Sequence, residues 1–161
     1  MSHTSAADRY SSLQIALHWT VALLITAAWF TGEGMGRILR QKIEGGAPTW
    51  PIHVWLGLAV LAVVAIRIAV RTFSGVPGPV PGTGETEAKL RHWGHLVLYV
   101  LMAAVPIGGA TAWFLGLDSV AEIHSLGGDA LFYLAGGHAL VALGHHYLRK
   151  DGTLRRMIQP G

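Results

Sequence analysis

Charged side chains leave four long gaps in this chain. No Asp, Glu, Lys or Arg occurs in the 23 residues between Arg9 and Glu33, the 22 between Glu44 and Arg67, the 26 between Arg91 and Asp118, or the 19 between Asp129 and Arg149. A helix of about 20 mainly apolar residues crosses the hydrocarbon core of a bilayer. A buried helix of a soluble bundle would carry a polar stripe, and these stretches lack one. The pattern predicts an all-α protein, a transmembrane four-helix bundle embedded in the lipid bilayer, as one domain over residues 1–161. The predicted spans are about 12–31, 52–71, 90–114 and 124–148. The first run is too long, and its flanks are wrong, for a cleaved secretory signal, so it is expected to stay in the mature protein.

Composition agrees with this pattern. Of the 161 residues, 52% are hydrophobic and 13% charged, about half the charge of an average soluble domain. The positive charges are distributed unevenly. With four spans both termini share one side, which holds Arg9, Arg67, Arg71, Lys89, Arg91, Arg149, Lys150, Arg155 and Arg156. Arg37, Arg40 and Lys42 lie on the other. Lys and Arg concentrate on the cytoplasmic side, so both termini are expected in the cytoplasm, with the 31–51 loop and the short 116–123 connection facing outward. The sequence pI of about 9.6 is explained by these inner flanks. No basic face interleaved with aromatics points to nucleic acid. The 72–89 segment, TFSGVPGPVPGTGETEAK, reads as an irregular inner connector. Trp19, Trp29, Trp50, Trp55, Trp93 and Trp113 fall near span ends and are read mainly as an aromatic belt.

Histidine changes the picture. There are nine His residues and no Cys. The missing cysteines exclude disulfides, thiolate metal sites, iron–sulfur clusters and covalently attached haem. Ionisable residues inside a membrane are costly and usually functional. His124 and His138 are 14 residues apart on one predicted helix, close to four turns, so they share a face and sit roughly 21 Å apart along the axis. His53 matches the outer level of His124. His18 matches the inner level of His138, and His95 also reaches it. Paired imidazoles at two depths suit two b-type haems, because iron accepts one axial nitrogen from each face. A zinc site fits less well, since the pairs are too far apart for one tetrahedral centre and no carboxylate accompanies them.

Five stretches carry a resemblance: YSSLQIALHW (10–19), PIHVWLG (51–57), IRIAVR (66–71), HWGHLVLY (92–99) and GHALVALGHHYLRKDGTLRRM (137–157). The chain resembles the bacterial cytochrome b561 family, the di-haem four-helix proteins of the inner membrane. The resemblance implies that His53 and His124 ligate the outer haem iron and His18 and His138 the inner one. It thereby favours His18 over His95. It also implies single-electron transfer between the outer face and the quinone pool. One close relative in that family, similar in length and motif order, oxidises superoxide outside and reduces ubiquinone. The connection over 115–123 is shorter here than in that relative, which leaves the outer donor open.

Other residues are expected to assist. Arg67 and Arg71 are candidates to pair with haem propionates. His95, His145 and Gln14 are candidates for a quinone site, where they would hydrogen-bond a carbonyl or relay a proton. Arg37, Arg40 and Lys42 would draw in a small anion. The competing expectations are a carrier, or a membrane subunit linking another periplasmic donor, dehydrogenase or hydrogenase to quinone, and, in a different class, a non-haem transporter. Self-association into a homo-oligomer is left open. Asp129, between the two histidine levels, has no role in this reading.

Overall fold

In the computed structural model the described residues are 9–46, 50–78 and 84–161. They are helical apart from turns and connections. The helices are α1 (Ser12–Phe30), α2 (Met35–Ile43), α3 (Ile52–Ser74), α4 (Glu85–Leu115) and α5 (Asp118–Gly144), with a π-helical turn at His145–Arg149 and a 3-10 turn at Arg155–Met157. Four are long and apolar enough to cross a membrane: α1, α3, α4, and α5 continued to Arg149. A helix satisfies its own backbone hydrogen bonds and can therefore cross with lipid on all sides.

The helix ends follow local chemistry. Ser11 and Gln14 form a reciprocal capping box at the start of α1, which satisfies donors that have no partner within the helix. Gly116 (φ 68°) closes α4 in the left-handed conformation, where a side chain would be strained. This lets α5 begin two residues later, so the outer connection is a tight turn and His124 lies one and a half turns inside its helix. The irregular connector is also shorter than expected at both ends, because α3 runs to Ser74 and α4 starts at Glu85. The middle of that loop, 79–83, lies outside the described residues.

The four long helices form a ring. The most extensive contact joins α4 to α5, followed by α1 to α3 and α3 to α4, and a lighter contact between α1 and α5 closes the ring. One buried cluster at mid-depth consists of Val21, Ile25, Val60, Val64, Met102 and Leu131. Most large apolar side chains instead point outward, among them Leu23, Phe73, Leu126 and Leu148. Such a surface suits lipid and would be a liability in water.

The second cluster was not anticipated. The expected outer loop contains α2, a short amphipathic helix. Its Leu39 is buried with Val54, Ala112 and Trp113. Trp113 is therefore a core residue and not part of an aromatic belt. Lys42 donates to the Trp113 carbonyl at 2.8 Å and lies over the indole at 5.3 Å. Arg40 pairs with Asp118 at 3.1 Å. At the opposite end, the segment after α5 folds back beneath the bundle. Trp19 Nε1 donates to the Met157 carbonyl at 2.8 Å, Arg156 to the Gly78 carbonyl at 2.8 Å, and the Gly161 N–H to the Tyr10 carbonyl at 3.2 Å.

The charged hydrogen bond from Lys42 is worth about 1.5–3 kcal/mol, while the exposed Arg40–Asp118 pair adds about 0–1 kcal/mol. Lys42→Ala should therefore speed amide exchange over Met35–Ile43 roughly tenfold or more and leave the four long helices protected. Unchanged exchange in α2 would show that Lys42 does not anchor it.

Candidate functional site

Four helices bring the histidines together in two groups. In the outer group, the His53 and His124 ring centroids are 5.8 Å apart. In the inner group, His138 faces two rings, His18 at 6.4 Å and His95 at 5.1 Å. A metal bonded to both rings of a pair needs centroids about 6 Å apart, counting two bonds of about 2.0 Å and the ring radii. The His53–His124 and His18–His138 separations bracket that value, and the His95–His138 separation falls below it.

The outer pair is oriented by backbone. The His53 Nδ1–H donates to the Ala28 carbonyl at 2.9 Å. The His124 Nδ1–H donates to the Val105 carbonyl at 2.8 Å. Both bonds cross between helices, α3 to α1 and α5 to α4. A ring that donates from Nδ1 keeps a lone pair on Nε2, the usual arrangement of a metal-ligating histidine and its outer-shell partner. Gly109 makes the second bond possible. A Cβ there would lie 2.7 Å from His124 Cε1 and 3.0 Å from its Nδ1, so only glycine lets the ring lie across α4.

A cavity of about 610 Å³ surrounds this pair. Its apolar floor includes Ile25, Val60 and Leu131, and its walls include Gly57, Gly109 and Gly128. The size and apolar lining suit a flat, mainly hydrophobic cofactor. Near its mouth Glu33, Asp118 and Glu122 accompany Arg40, and Asp129 also lines the space.

The inner group is held differently. His95 Nδ1 donates to the Arg91 carbonyl of its own helix at 2.7 Å. His18 Nδ1 is buried without a hydrogen-bond partner. An orphaned buried nitrogen is rare enough to need a reason, and a ring reserved for a ligand supplies one. Arg67 donates to the Tyr99 hydroxyl at 3.1 Å, and Arg67 and Arg71 both lie 5.6 Å from that ring's centre. The two arginines thus form one stacked cluster beside the inner group. The residues present fit imidazole-held haem at both levels. The donor set is all nitrogen, the outer rings have fixed tautomers, and a glycine clears the way for one ring.

The quinone candidates separate in the structure. Gln14 is engaged at both ends of its amide. Its oxygen accepts from the Ser11 N–H at 3.0 Å, and its nitrogen donates to the Gly75 carbonyl at 2.9 Å. His145 sits at the inner end of α5 between two carboxylates. Its Nδ1 contacts Asp151, and its Nε2 lies 3.5 Å from Glu87. Arg149 also binds Glu87, at 2.7 Å. Partial desolvation works against ionisation of Asp151, but hydrogen bonds from His145 and the Thr153 backbone outweigh it and hold the carboxyl down at about 2. The spacing of histidines along the chain gave no hint of these carboxylate partners. Trp29 Nε1 also donates to Asp129 at 2.9 Å, and the only sequence signal for this contact was an acid placed between apolar runs.

Comparison with known proteins agrees with this architecture. The model of the prokaryotic cytochrome b561 family matches residues 9–160. A protein named cytochrome b562 from Cereibacter sphaeroides is 40% identical, covering 94% of this chain and 96% of its own length. A probable superoxide oxidase, CybB, from Yersinia pestis is 34% identical over 93% of this chain and 96% of its own. Cytochrome b561 homolog 2 of Escherichia coli K12 is 29% identical over 98% and 95%. The chain belongs to the prokaryotic cytochrome b561 family. It is a multi-pass membrane electron-transfer protein, and its family implies b-type haem.

Gly109→Ala should push the His124 ring off the Val105 carbonyl. The b-type haem absorbance per protein is expected to fall while the helical circular dichroism stays unchanged. Full haem content in that variant would remove His124 from the ligand set.

Proposed function

We propose that the protein is a di-haem conduit of the bacterial inner membrane, with both termini in the cytoplasm, and that it passes electrons from superoxide outside to ubiquinone inside. His53 and His124 hold the outer haem b, and His18 and His138 the inner one. The observation that carries this reading is the presence of two imidazole pairs at metal-ligand separation, 5.8 and 6.4 Å, at two levels of one bundle. When bound, the haems supply one-electron carriers at those two depths. The whole 1–161 chain is taken as the single unit that does this.

The chain's own residues do the rest. Two superoxide anions each lose one electron to give two O₂, and ubiquinone takes up two electrons and two protons. The protons must come from the cytoplasmic side. His145, set between Asp151 and Glu87, is placed to pass them on. His95 stands beside the inner pair and can donate to a quinone carbonyl, whereas Gln14 serves mainly to cap α1. The Arg67–Arg71–Tyr99 cluster supplies positive charge for propionates. Arg37 remains exposed and is the outer cation best placed to attract an anion.

A second reading is favoured by the outer mouth. Arg40 is paired with Asp118, Lys42 is held by Trp113, and Glu33, Asp118 and Glu122 line the cavity. Acidic groups repel a small anion and suit a neutral or cationic donor, such as the redox partner of a carrier or dehydrogenase-linked subunit.

The deciding measurement is a pyridine haemochrome count on purified protein, with two b haems per chain expected. His53→Ala and His18→Ala should each lose one, and retention of both haems in either variant would reject that ligand. Steering by outer cations predicts that superoxide-driven haem reduction slows as salt rises. Acceleration by salt, together with faster reduction by a cationic donor, favours the second reading. His145→Ala should slow quinone reduction at least tenfold with both haems in place, and loss of a haem in that variant would remove its assignment as a proton group.

A further inference from the structure

Asp129 lies eleven residues into α5 and five beyond His124, roughly 7.5 Å deeper along the helix axis. An ionisable group at such depth is costly and marks a functional position. Its carboxylate receives a hydrogen bond from Trp29 Nε1 at 2.9 Å. The indole that donates it is stacked flat on Phe132, with centroids 4.1 Å apart and planes within 6°, so the donor is fixed in place. Among the described residues the ion pairs lie elsewhere, at Arg40–Asp118, Lys89–Glu85 and around Glu87. Among these residues no guanidinium or ammonium pairs with Asp129, which is itself exposed. Asp129, Trp29, His53 and His124 line one cavity. The last turn of α1 serves both features, because Ala28 orients His53 and Trp29 holds Asp129.

We propose that Asp129 lowers the reduction potential of the outer haem. This rests on the reading that His53 and His124 hold that group. Leaving the propionates aside, ferric iron in a porphyrin dianion with two neutral imidazoles would carry a charge of about +1, which uptake of one electron would remove. A carboxylate lining the same cavity stabilises the charged, oxidised form more than the neutral, reduced one. Asp129 thus makes the outer level the weaker electron acceptor and favours onward movement of the electron to the inner level. It is a positioning charge, not a catalytic residue.

The test is a spectroelectrochemical titration of the purified holoprotein, with dithionite as reductant and redox mediators. Asp129→Asn should ease reduction of one haem about tenfold, a rise of 59 mV for one electron, and leave the other unchanged. Asp129→Glu, which keeps the charge, should move that potential by less than a third as much. Where Asp129→Asn assembles poorly, Asp129→Ser is read in the same way. An outer potential equal to that of the unmodified protein, or an equal rise at both haems, would overturn the proposal. The underlying reading fails separately, if the unmodified protein does not carry two b haems or if His53→Ala removes the haem that Asp129→Asn leaves unmoved.

Discussion

An imidazole set between apolar helices must settle both of its nitrogens, and this constraint organises the outer half of the molecule. Lipid offers nothing to take the second nitrogen, and an unmet polar group is expensive there. His53 and His124 solve the problem by donating to carbonyls of neighbouring helices, Ala28 in α1 and Val105 in α4. Each bond fixes a ring and also ties two helices together. The glycine under the His124 ring, the two-residue turn at Gly116 and the start of α5 well before His124 all serve that geometry. The inner half follows another rule. There His18 has no such partner, and three rings gather around one level, framed by Arg67, Arg71 and Tyr99.

The two ends of the bundle are finished by different chemistry. Outside, an amphipathic helix lays Leu39 onto Trp113 and holds it with a lysine and an ion pair. Inside, a carboxylate–histidine–carboxylate cluster joins the first turn of α4 to the end of α5 and the tail. The first is mainly a packing device, and it gives Arg40 and Lys42 partners in Asp118 and the Trp113 carbonyl. The second gathers three titratable side chains, Glu87, His145 and Asp151, at one end of the bundle.

Much of this was legible in the sequence for physical reasons. Gaps between charges located the four long helices, because lipid tolerates little else. The 14-residue spacing placed His124 and His138 on one face, because helical periodicity is fixed. Other features had no periodic signature. Helix α2 is nine residues long and polar on average, so its single buried leucine was hidden among turn residues. Trp113 resembled an interfacial tryptophan because it stands near a span end, yet tertiary packing against α2 buries it. The choice between His18 and His95 as the neighbour of His138 depends on ring separations that no spacing encodes. Gln14 looked like a free amide until the capping box and the Gly75 contact used both its ends. Asp129 stood out as an anomaly, but the indole that holds it is 100 residues away in the chain.

The tail bears on the order of assembly. The residues that tie Trp19, Tyr10 and Gly78 together at the inner end, Met157, Gly161 and Arg156, are synthesised after all four long helices. Until they emerge, the inner end of the ring has no floor, while the outer end can already carry its helical cap. These three bonds join segments far apart in the chain, and they can form only once α1, α3, α4 and α5 have all been made.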